Sequence, residues 1–153
     1  MTGRFAYSIV DAKHAYPSPV LTVTLRFGRR SLPVLAVLDS GADGTTIPQI
    51  AVNHLKPQKL REAVVEDANG NALRRQMYIL DIDFAGTEYQ NHPVILLPTR
   101  SYMLVGRDVL RNHRIVLNGP QSFLEGESPR LRIGEGHERS ECKPGRAQPS
   151  RNG

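Results

Sequence analysis

Asp39-Ser40-Gly41-Ala42-Asp43 stands directly after an apolar run at residues 32–38, and it is the segment of the chain best fitted to do chemistry. A carboxylate at the end of a buried strand is poorly hydrated unless a turn brings it out, and there it can take or give a proton. Ser40 can steady such a turn through its hydroxyl, Gly41 lets another backbone come close, and Ala42 leaves room beside the carboxylate. Small residues together give up packing area, which a purely structural loop has little reason to do. Alone, Asp-Ser-Gly is also an ordinary turn tripeptide; a second segment raises its standing. Met103-Leu104-Val105-Gly106-Arg107-Asp108-Val109-Leu110 reads as an apolar strand, a Gly, then a helix start bearing Arg107. A cation there opposes the helix dipole and wants an anionic partner, for which Asp43 is suited through a partly buried ion pair.

Other chemistries lack their residues. His14, His54, His92, His113 and His137 are scattered, with no His-x-x-x-His or His-x-His pair, and read as surface or turn residues. No metal site is expected. Ser40 has no Gly-x-Ser-x-Gly frame, and Gly41-Ala42-Asp43-Gly44 is not followed by Gly-Lys-Ser/Thr as a phosphate loop requires. Asp81 and Asp83 read as the solvated face of a strand.

The elements that must position these residues are mostly strands. Val20–Phe27 alternates apolar with polar, as residues 5–10 do more weakly, and residues 32–38 form a buried run too short for a helix. Residues 62–66 and 73–84 flank Asp67-Ala68-Asn69-Gly70-Asn71, whose Asn-Gly pair is a strong hairpin signal. In the second arm Tyr78, Leu80, Ile82 and Phe84 share one face. A turn at Ala85-Gly86-Thr87 leads into a strand over residues 88–97, which Pro93 marks as irregular or an edge at its start. Helical spacing occurs only at Gln49–Leu55 and residues 106–113. The fold class is therefore all-β, a barrel or sandwich with a short helix after the Gly-Arg-Asp motif.

Composition sets the limits. The 153 residues are 39% hydrophobic and 6% aromatic, enough for one modest core but not for a two-lobed enzyme. Residues 126–153 hold 6 Lys or Arg and 4 Asp or Glu with few apolar side chains, so this tail is expected to be disordered, apart from a brief extended piece around Leu131 to Ile133. The domain is expected at residues 1–125. Net charge is +5, but basic and acidic side chains alternate in the tail and no basic stripe interleaves with aromatics, so nucleic acid is not the expected partner. One cysteine, Cys142, excludes an internal disulfide framework, and no apolar run approaches the roughly 20 residues of a membrane span. A soluble, intracellular protein is the expectation.

The two motifs in this order resemble those of the retropepsins, the retroviral-type aspartic proteases and their cellular and bacterial relatives. The matching segments are Val37-Leu38-Asp39-Ser40-Gly41-Ala42-Asp43 and Leu104-Val105-Gly106-Arg107-Asp108-Val109-Leu110, within a resemblance covering about residues 4–125. It implies a small acid-protease barrel and an aspartic endopeptidase without cofactors, acting on polypeptides. The chain has no second Asp-Thr/Ser-Gly, so the resemblance implies a homodimer in which Asp39 meets its own copy across a two-fold axis. Asp39 would be catalytic, Ser40 would brace the dyad, and Gly41 would offer a carbonyl to substrate. Ala42, Asp43, Leu104 and Val105 would line subsites, with Ile47 a further pocket wall. Arg107 would pair with Asp43, and the hairpin tip at Asn69 and Gly70 would close over the substrate as a flap. The tip is polar where viral enzymes are apolar, which fits a more open cleft. Viral enzymes dimerise through terminal strands, for which residues 5–10 and 122–125 are the candidates. A catalytically weak or inactive dimerisation or peptide-binding module is the alternative reading, and a nucleic-acid-associated protein using its basic tail a distant third.

Overall fold

In the computed structural model, which describes residues 2–12, 16–67 and 69–127, the alternating pattern becomes strand. The elements are β1 (Thr2–Ala6), β2 (Val20–Phe27), β3 (Arg30–Leu38), β4 (Thr46–Ile47), α1 (Gln49–Leu55), β5 (Gln58–Glu66), β6 (Ala72–Phe84), β7 (Thr87–Leu96), β8 (Met103–Val105), α2 (Arg107–Leu110), β9 (Arg114–Asn118) and β10 (Phe123–Glu127). The expected disordered tail beyond residue 127, with Leu131 to Ile133, His137 and Cys142, lies outside the described residues, as does His14.

Seven strands form one sheet in the order β2-β3-β8-β4-β7-β6-β5. β2 also pairs with β6, through Thr24↔Asp83, Leu25↔Ile82 and Arg26↔Asp81, which curls the sheet into a barrel and leaves β5 as an arm on β6. Val23, Leu25, Leu80, Ile82 and Phe84 point inward with Ile47, Leu55, Met103, Val105 and Val109, each 2% exposed or less. Burying a side chain of this size stabilises the fold by about 1.5–3 kcal/mol. The alternation read in residues 78–84 is the observed one. Their outward carboxylates, however, are partnered: Asp83 pairs with Arg26 at 3.0 Å, and Asp81 accepts the Asn91 N–H at 2.8 Å. The latter bond steadies a bulge, where Asn91 has a φ of 49° and the β6–β7 register shifts between Leu80 and Ile82. Pro93 follows this bulge, and β4 joins the other side of β7 only from Ile95 onward, so its missing N–H costs no ladder bond to β4.

The decisive crossing is β8. It enters between β3 and β4, parallel to β3 (Val37↔Leu104, Leu38↔Val105) and antiparallel to β4 (Thr46↔Leu104). The end of β3, where Asp39 begins, therefore lies beside the end of β8, where Gly106 begins.

A second sheet, β1-β10-β9, joins the two ends of the described chain, from Thr2↔Glu127 to Ala6↔Phe123. The N-terminal strand is thus residues 2–6 rather than 5–10, and Ser8 makes only an isolated bridge with Ser18. The candidate interface strands consequently pair with each other inside one chain. β9 is left as an edge, with Val116 and Leu117 exposed. The helix expected over residues 106–113 is only four residues long. Asn112 and His113 donate their N–H groups to Val109 and Leu110, three residues back, tightening the chain into turns before β9. α1 occupies the expected Gln49–Leu55 and ends on Lys56 in the left-handed region.

Candidate active site

Asp39 is the first residue beyond β3, and its N–H donates to the Val105 carbonyl at 3.0 Å, so β8 sets where the turn begins. The Gly41 N–H then donates to Asp39 Oδ1 at 3.0 Å, and the Ala42 N–H to the Asp39 carbonyl at 3.2 Å. A Cβ at position 41 would sit 3.2 Å from Asp39 Oδ1, so the glycine keeps this carboxylate uncrowded. Asp39 is half-buried, Ser40 and Gly41 are exposed, and Ala42 is half-buried.

The far end of the turn is stitched to α2. The Arg107 N–H donates to Ala42 O at 2.9 Å and the Asp108 N–H to Asp43 O at 3.2 Å. Gly106 comes so close that a Cβ there would stand 2.7 Å from the Gly44 carbonyl carbon. Arg107 Nη2 donates to Asp43 Oδ1, bringing together the two residues that the sequence pairs. Yet the side chains are 58% and 90% exposed, where a partly buried pair was expected. The segment packs backbone to backbone, pushing both side chains outward, and an exposed pair of this kind contributes at most about 1 kcal/mol.

The buried anchor is Thr45, with no exposed surface. Its N–H donates to Asp108 Oδ2 at 2.9 Å and its hydroxyl to Asp108 Oδ1 at 2.8 Å, while Oγ1 accepts the Gly106 N–H at 3.2 Å. His92 Nε2 completes the set on Asp108 Oδ2 at 2.9 Å. Burial works to raise the Asp108 pKa, but donation from His92 and from both Thr45 groups outweighs it and holds the carboxyl below its ordinary value of 3.8. A carboxyl so lowered stabilises the fold above its ordinary pKa, and that stability is lost as pH falls through the lowered one. Asp108→Asn is therefore expected to lose about 2 kcal/mol at neutral pH, and the gap to wild type in chemical denaturation should close only well below pH 4.

Sequence reading missed this anchor. Its one signal was an acid in the first turn of a helix, favourable to the dipole; its partners come from β4 and β7. Two histidines read as surface or turn residues are also reassigned. His92 has a side chain only 14% exposed, and His113 Nε2 lies 2.7 Å from the Tyr89 hydroxyl with its ring edge-on to Phe84. His113 does stand in the turn after α2, but both rings are partnered because β7 brings Tyr89 and His92 over α2.

Of the expected subsite residues, Leu104 is part-exposed beside the turn, whereas Val105 and Ile47 have no exposed surface and belong to the core, beneath the site rather than lining it. Alternation along β8 explains this, since neighbouring residues face opposite sides. Asn69 and Gly70 lie at the exposed tip of the β5–β6 hairpin. There the Asp67 carboxylate accepts the N–H groups of Asn69 and Asn71, each at 2.9 Å, and Asn71 Nδ2 at 3.0 Å. The Asn71 side-chain and backbone bonds, joined by the Asn69 N–H, outweigh desolvation and lower the Asp67 pKa. The polar tip is thus closed on itself, with Gly70 supplying a φ of +82°. Among the described residues no group of three His, Cys, Asp or Glu side chains could hold a metal ion, and no helix is long and apolar enough to cross a membrane.

A β-barrel that juxtaposes Asp-Ser-Gly with Gly-Arg-Asp defines the retropepsin-like acid-protease fold. The family model for the retroviral aspartyl protease matches residues 15–118, and the chain belongs to that family. Among solved structures, a retropepsin-like aspartic protease from Rickettsia conorii is similar at 14% identity and a TM-score of 0.55, over 82% of this chain and 91% of that one. EIAV protease in complex with the inhibitor HBY-793 is similar at 20% identity and a TM-score of 0.48, over 61% of this chain and 86% of that one. The retroviral protease-like domain of Ddi1 from Leishmania major is similar at 16% identity and a TM-score of 0.42, over 67% and 83%. No curated protein sequence matches significantly.

Proposed function

We propose that the chain is an aspartic endopeptidase that works as a homodimer, its site built from Asp39 of each copy. The observation that carries the reading is the placement of one half-buried carboxylate on a turn of small residues, braced on both sides, in a chain with a single such motif. Two like carboxylates about 3 Å apart cannot both ionise readily, so the pair shares one proton. The ionised partner takes a proton from a water, which attacks the peptide carbonyl carbon. The protonated partner polarises the carbonyl oxygen and then returns a proton to the leaving amine. Ser40 would brace the dyad across the two-fold axis and Gly41 would present its carbonyl to an extended substrate. Ala42, Asp43 and Leu104 would border subsites, Val105 would support them from below, and Asn69 and Gly70 would close over the cleft. Since β10 is paired on both sides within the chain, β1 and β9 are the edges of that sheet open to a second copy.

Mixing tests the shared site. Inactive Asp39→Asn chains that exchange with wild type trap active chains in mixed dimers, so about a ninefold excess should leave about a tenth of the original cleavage. Activity that ignores the added variant would count against the dimer. The self-closed polar tip favours the second reading, a module that binds peptides weakly or without cutting them. Mass spectrometry separates the two, because binding without product would support the module.

A further inference from the structure

The turn from Asp39 to Gly44 is fastened at its start by the Asp39 N–H on Val105 O, along its far side by the Arg107 and Asp108 N–H groups on Ala42 O and Asp43 O, and at its end by the buried Thr45. The last fastening is only as firm as the orientation of the Asp108 carboxylate, which accepts both the N–H and the hydroxyl of Thr45. Two other donors fix that orientation: the Val109 N–H on Oδ1 at 3.0 Å and His92 Nε2 on Oδ2 at 2.9 Å. Val109 lies on α2 with Asp108, whereas His92 comes from β7 and ties the helix to the barrel wall.

We infer that His92 is a positioning residue for the catalytic turn, holding Asp108 and through it Thr45. Asp108, on α2, is the anion in contact with His92. Tyr89, on the same strand, stands edge-on to its ring at 5.7 Å. Leu80 of β6, opposite His92, brings no charge, and His113 and Arg111 reach Tyr89 from the segment after α2. A neutral imidazole with its proton on Nε2 gives Asp108 one hydrogen bond. A neutral amide at this position could keep part of the brace, and an apolar side chain none of it. The consequence for cleavage rests on the protease reading, but the brace does not.

The test uses the full chain and two variants. His92→Gln keeps a donor that cannot charge, and His92→Leu removes the donor. Amide hydrogen exchange at Thr45 and Gly106, corrected for intrinsic rates, is measured beside kcat and KM on a peptide substrate. Thr45 should be about fivefold less protected in His92→Leu than in wild type, with kcat falling and KM unchanged, and His92→Gln should recover part of both. Unchanged Thr45 protection in His92→Leu would overturn the inference, as would a loss in His92→Gln equal to that in His92→Leu. If His92→Leu does not fold, His92→Ala takes its place. A wild type that cuts no peptide would remove the protease reading and leave exchange to judge the brace. Cleavage by wild type with unchanged Thr45 protection in His92→Leu would remove the inference alone.

Discussion

Asp39→Asn should lower kcat/KM on any peptide substrate by at least about a thousandfold while leaving the fold and the dimer in place. The amide can neither hold the shared proton nor take one from water. It does keep an oxygen where Asp39 Oδ1 accepts the Gly41 N–H, so the turn keeps its shape. Asp39 is only half-buried, and its backbone N–H still reaches Val105 O. Cleavage of a fluorogenic peptide, circular dichroism and sedimentation together check the three parts. Undiminished cleavage by the variant would remove Asp39 from the mechanism.

Gly106→Ala should be the most damaging glycine-to-alanine change among the described residues. The residue is extended, with φ −88° and ψ −177°, so any amino acid could adopt its backbone. The obstacle is space. The new Cβ would meet the Gly44 carbonyl carbon at 2.7 Å and oxygen at 2.8 Å, and Ala42 O at 3.1 Å, all backbone atoms that cannot swing aside. Relief requires β8 and α2 to part from the turn, breaking the bonds to Ala42, Asp43 and Thr45. About 3 kcal/mol of stability should be lost, visible in denaturant titration, and any peptidase activity should fall with it because the far end of the Asp39 turn comes loose. A variant as stable and active as wild type would show that the close approach does not hold the site together.

Legibility followed the range of the signal. Val20–Phe27 was readable to the residue because alternation within eight positions reports one buried face. Asn69-Gly70 marked its hairpin because turn chemistry is local. Asp43 and Arg107 were readable as partners from charge and helix polarity, but their exposure was not, since it depends on how closely Gly106 packs on Gly44. The resemblance put Val105 with Leu104 among the subsite walls, and the pleat of β8 turned it into the core. His92 looked solitary because its carboxylate partner lies on another element, brought near only when β7 crosses the barrel.

By itself, the sequence determined the family resemblance, the all-β class, the hairpin, and the presence of a single Asp-Ser-Gly carboxylate in these 153 residues. These are matters of local periodicity, turn residues and counting. Only the tertiary structure decided that β8 would lie between β3 and β4, that β10 would pair with β1 on one side and β9 on the other, and that Thr45, Asp108 and His92 would form one anchor around a buried Thr45. Strand order and register set these contacts. Both follow from closing the sheet around a shared core, and no run of neighbouring residues encodes which distant strand will lie alongside.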